Sequence, residues 1–103
     1  MTTTHDTVSG AADDLARQIA EVGHGHVLLA PGNATLYEVA VLRAEGGWVV
    51  AVPNMGGAYR FGDLLDLHTY YVAEKLGVLP GDADVLADLL DATGTEVARL
   101  VVR

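Results

Sequence analysis

The most constraining feature of this chain is a pair of apolar runs joined by two glycines. Leu36–Ala44 alternates, with Tyr37, Val39 and Val41 on one side and Leu36, Ala40 and Leu42 on the other. Glu45-Gly46-Gly47 supplies the backbone freedom a tight turn demands, and Trp48–Val52 follows, apolar at every residue. The spacing predicts a hairpin over 36–44 and 48–53. Pro53 closes it, because proline has no N–H to give to a ladder. A strand apolar on both sides needs cover on both faces. One helix covers only one, so the second face calls for the N-terminal helix, a second subunit or a partner.

The rest of the chain reads around that hairpin. Residues 1–7 are polar and unpatterned, expected to fray as a tail. Ser9 is the expected cap of a first helix, with Leu15, Ile19, Val22, Ala12 and Ala16 inward, Arg17, Gln18 and Glu21 outward, and Gly23 ending it. Val27–Ala30 is a short apolar run, broken by the turn residues Pro31-Gly32-Asn33. After the hairpin, Asn54–Gly57 turns the chain into a brief third strand, Ala58–Phe61. A helix is expected from about Asp63 to Leu76, with Leu64, Leu65, His68, Tyr71, Val72 and Leu76 as its apolar stripe. His68 on that stripe reads as a packed histidine. Leu79-Pro80-Gly81 reads as a stop, and Asp82 as the cap of a helix to about Thr93 that Gly94 ends. Asp82, Asp84, Asp88 and Asp91 read as its solvated side. Glu96–Arg103 alternates as a last strand would.

The 103 residues predict one domain, and the apolar half of the composition argues against disorder. A net charge of −8 disfavours direct contact with phosphate backbones and suits either solubility or a basic protein partner. There is no cysteine, which removes disulfides, thiolate zinc sites and cysteine nucleophiles. His24-Gly25-His26 would need further ligands to hold a metal, and the segment 31–35 lacks the glycine spacing and lysine of a phosphate loop. No cofactor is implied. No secretory leader or membrane-length apolar run is visible, so a cytoplasmic location is expected.

The segment Trp48–Asp66, WVVAVPNMGGAYRFGDLLD, resembles the HicB-like antitoxin domain. Val52-Pro53, Gly57 and Gly62-Asp63 fall at the family's positions without a gap. Met55 stands for an apolar residue, and Asn54 for an acid. The likeness spans 36–77, about two-fifths of the chain. Gly56 departs from the family's proline, Ala58 from a frequent cysteine, Leu64 from a common threonine and Leu67-His68 from Glu-Ala. The resemblance implies an α+β fold: a small antiparallel sheet with a helix packed on it, in β-β-β-α-β order, truncated RNase H-like, here with an extra N-terminal helix. It also implies a non-enzymatic module that neutralises a small basic RNA-cleaving toxin (HicA-like). The DNA-reading domain that many such antitoxins carry is expected to be missing, since the sequence stops at Arg103.

Three functions compete on these residues. The first is this interaction module, an antitoxin-type neutraliser. The second is a stand-alone homo-oligomeric phage or bacterial accessory protein that binds another protein or a small ligand. The third is a metal-dependent nuclease, which needs clustered carboxylates, whereas the core strands contribute only Glu38 and Glu45. A homodimer or larger assembly is expected from the two-sided strands. A partner site is expected where an edge strand meets exposed aromatics and acids. It comprises Tyr59, Arg60 and Phe61 on the third strand and Asp63, Asp66, Tyr70 and Glu74 on the following helix.

Overall fold

A computed structural model describes residues 3–32 and 35–101. The elements are β1 (Thr4–His5), α1 (Val8–Val22), β2 (His24–Leu29), β3 (Tyr37–Ala44), β4 (Gly47–Val52), a 3-10 turn (Pro53–Met55), β5 (Gly57–Phe61), α2 (Thr69–Leu76) and α3 (Pro80–Val101). The fold is α+β. Five strands form one sheet in the order β1-β2-β3-β4-β5. β2 to β5 pair antiparallel, and β1 joins β2 in parallel, so the sheet is mixed rather than wholly antiparallel.

The hairpin forms as its alternation predicts. Leu42 pairs with Val49 and Arg43 with Trp48, and Gly46 takes a φ of 76° at the turn. Tyr37, Val39 and Val41 point into the core with Val50 and Val52. Pro53 ends the ladder, and the Asn54 side chain takes over from it. Its Oδ1 accepts from the Glu38 N–H (3.0 Å) and its Nδ2 donates to the Leu36 carbonyl (2.6 Å). An acid at that position could accept but not donate.

All three helices lie on one side of the sheet. α1 buries Ala11, Ala12, Leu15, Ala16 and Ile19. It packs on β2 and against α3, while α2 packs on β5 and on α3. Thr7, not Ser9, caps α1, its hydroxyl accepting from the Gly10 N–H at 3.0 Å. Gly23 ends the helix in the left-handed conformation (φ 82°). Val22, expected inward, is 62% exposed.

Several expectations are corrected. Thr4–His5 does not fray but pairs with Leu28–Leu29. Residues 1 and 2 of the expected tail, Asn33 of the expected turn, and Val102 and Arg103 of the expected last strand lie outside the described residues. The part of that strand from Glu96 to Val101 is helix, because α3 does not stop at Gly94. A Cβ there would come within 2.9 Å of the Leu64 backbone, so the missing side chain is used for close packing, not termination. Pro80 does not stop a helix but opens α3, where its missing N–H costs nothing. Asp82 sits in the first turn and accepts from the buried Tyr37 hydroxyl (2.9 Å). α2 begins at Thr69, not near Asp63. The Asp63 carboxylate accepts instead from the Leu65 N–H at 2.8 Å, forming a local turn that drops Leu64 into the core. His68 is therefore the residue before α2, with a side chain 83% exposed, and is not packed on an apolar stripe. Leu65 is exposed as well.

Candidate interaction surface

The two long borders of the sheet differ. On the β2 side, the outward backbone is engaged at His26, Leu28 and Ala30. Leu28 is opposite Thr4 of β1, and the Ala30 N–H donates to the His5 carbonyl at 2.8 Å. At His26, beyond the reach of β1, the Gln18 side chain takes the place of a strand. Its Nε2 donates to the His26 carbonyl (3.1 Å) and its Oε1 accepts from the His26 N–H (3.0 Å). Gln18 was expected on the wet side of α1. Asp14 orients it, with Oδ1 accepting from Gln18 Nε2 (3.1 Å) and Oδ2 accepting from His5 Nε2 (2.8 Å). The His5 hydrogen bond, ahead of that from Gln18, holds the Asp14 carboxyl below its ordinary value.

On the other border, β5 has β4 on one side and, among the described residues, no strand on the other. This is the edge at which the sequence placed a partner site, and the structure distributes the expected residues as follows. Phe61 is not at the surface. It is 1% exposed, faces the helices and meets the rings of Tyr59 (5.5 Å) and Tyr71 (5.6 Å) edge-on. The strand register is the reason: Phe61 is opposite Trp48 and Tyr59 is opposite Val50, on the helix-covered side. Tyr59 is 37% exposed and also meets Tyr71 (6.2 Å, near perpendicular). Arg60 lies on the opposite side of the sheet and donates to the Glu45 carbonyl. Asp63 is engaged in its turn. Asp66 precedes α2 and stands 3.9 Å from His68, both fully in solvent reach. Tyr70, 80% exposed, and Glu74, also exposed, stand four residues apart on α2.

The sequence reading missed Lys75. Its ammonium lies over the rings of Tyr59 (5.3 Å) and Tyr71 (5.7 Å), which fastens α2 to β5 by cation–π contact. Partial burial first, then the Tyr59 hydroxyl, raises the Tyr71 phenol above its ordinary value. At the opposite end of β4, the Arg43 guanidinium lies 5.6 Å over the Trp48 ring.

No described element covers the sheet face away from the helices. α1, expected as one possible cover for it, lies with α2 and α3 on the other face. Its centre is Ala40, Leu42, Val49 and Ala51, where a shallow groove of about 470 Å³ runs beside His24 and His26. The two histidines share this face, and His26 Nε2 meets Glu38 Oε2 at 2.9 Å. Among the described residues no group of three or more His, Asp or Glu side chains is placed to hold a metal ion. No helix among them is long and apolar enough to cross a membrane.

No family model, curated protein or solved structure shows a significant match to this chain.

Proposed function

We propose that the chain is a non-enzymatic protein-interaction module of the HicB-like kind, which receives a basic protein along β5 and the outward side of α2. Its sharpest form is an antitoxin that neutralises a small basic RNA-cleaving toxin. The observation that carries this reading is the asymmetry of the sheet: Gln18 and β1 cover most of one border, whereas no described strand pairs with the outer side of β5. An open strand offers a row of backbone donors and acceptors to an incoming chain. Beside it, Tyr70 offers a largely exposed ring, and Asp66 and Glu74 offer negative charge. An aromatic anchor with acids at its rim suits a partner rich in lysine and arginine. The gapless likeness of Trp48–Asp66 to the HicB-like segment supports the antitoxin form.

The experiment is an RNA-cleavage assay with a purified HicA-like ribonuclease, titrated with wild-type protein and with Tyr70→Ala. Stoichiometric suppression of cleavage by wild type, weakened in the variant, is the expected result. Undiminished cleavage at a tenfold excess of wild type would exclude the antitoxin form.

A further inference from the structure

The acids of this chain are unevenly placed. Of fourteen Asp and Glu residues, Glu38 is the one that the strand registers place on the helix-free face, at one corner of the patch formed by β3, β4 and β5. Arg60 occupies the diagonally opposite corner. The corners lie two strands apart and four residues along, about 10 Å by 14 Å in strand geometry. Glu38 is two residues before Ala40, Ala40 pairs with Ala51, and Arg60 pairs with Val49, two residues before Ala51. Ala51 is thus the midpoint between the two charges. The surface between them is apolar, formed by Ala40, Leu42, Val49 and Ala51.

We propose that a second copy of this chain stacks on this face about a two-fold axis that passes over Ala51, so that Glu38 of each copy meets Arg60 of the other. A two-fold contact requires a self-complementary patch. This face satisfies that requirement, because a rotation about an axis lying between the two sheets, perpendicular to the Glu38–Arg60 line, exchanges the two charges. The same rotation sets Ala40 of one copy against Leu42 and Val49 of the other, small against large, as packed sheet faces interdigitate. Among the described strands Glu38 is the one acid this face offers a basic partner, whereas a second copy matches both the apolar centre and the corner charges. His26 and the Glu45 carbonyl already hold the Glu38 and Arg60 side chains, so both are partly ordered before contact. The inference does not depend on the proposed partner along β5.

Sedimentation velocity from about 1 µM to 1 mM tests it, with circular dichroism as the folding control. Wild type is expected to dimerise, and Ala51→Glu, which puts two carboxylates together at the axis, to weaken the dimer about 100-fold or more. Glu38→Arg and Arg60→Glu are each expected to weaken it about tenfold, because like charges then face one another. An equimolar mixture of these two variants restores both ion pairs and is expected to form a heterodimer about as tight as the wild-type dimer. A wild-type monomer at every concentration, a dimer that survives Ala51→Glu, or a mixture no tighter than its components would each overturn the proposal.

Discussion

The side-chain amide of Gln18 lies along the backbone of His26 as a further strand would, giving one hydrogen bond and receiving another. One glutamine thereby occupies the β2 border at His26, which the two-residue β1 does not reach. It leaves β5 as the longer open border of the sheet.

Gln18→Ala removes both bonds and leaves a part-buried strand N–H and carbonyl to water. A net loss of about 1–3 kcal/mol is expected, since each such bond contributes about 0.5–1.5 kcal/mol. Urea denaturation measures it. Amide exchange at His26 is expected to accelerate, while that at Val39 and Val41 in the core of β3 changes no more than the global stability does.

Gly94→Ala sets two effects against each other. Alanine is favoured over glycine inside a helix by about 1 kcal/mol. The new methyl would lie 2.9 Å from backbone and Cβ atoms of Leu64, which cannot rotate aside. Overpacking of this kind costs about 1–3 kcal/mol. The expected result is net destabilisation, with a thermal midpoint below that of wild type. A stabilised variant would contradict the close packing of α3 on Leu64.

Asp14 makes stability depend on acid. Its carboxyl lies below the ordinary value because His5 and Gln18 bond to the charged form. A depressed carboxyl contributes stability that is fully present above its unfolded value, about 3.9. That contribution is lost as pH falls through the folded value. Asp14→Asn is therefore expected to lower stability near pH 7 and to flatten its fall below about pH 4. Urea midpoints measured from pH 7 to pH 2.5 check both.

Neighbouring tyrosines on α2 are expected to separate binding from folding. Tyr70 is exposed, so Tyr70→Ala should leave stability within about 0.5 kcal/mol of wild type and weaken a partner complex by roughly 2 kcal/mol. Tyr71 packs on Phe61 and Tyr59 under Lys75, so Tyr71→Ala should destabilise the fold itself. Asp66→Lys is expected to slow association, most at low salt. Denaturation and stopped-flow binding distinguish the three.

The hairpin was legible because alternation, two glycines and a proline all point the same way. β5 was legible from its place between Gly57 and Gly62. What escaped was decided by contacts between distant residues. Gly94 looks like a helix stop until Leu64 is seen against it. Gly62-Asp63 looks like a helix start, but the Asp63 carboxylate binds the Leu65 N–H first. Gln18 is polar at an outward position, and only the arrival of β2 gives it a role. Of the expected partner site, Tyr70, Asp66 and Glu74 are accessible. Phe61 is in the core because strand parity, fixed by its pairing with Trp48, turns it inward.

Amide hydrogen exchange on the complex with a small basic ribonuclease tests the central claim most directly. The account predicts slowed exchange over Gly57–Phe61 and over Thr69–Leu76, with β2 unchanged. A stable complex that leaves β5 exchanging at its free rate would contradict it.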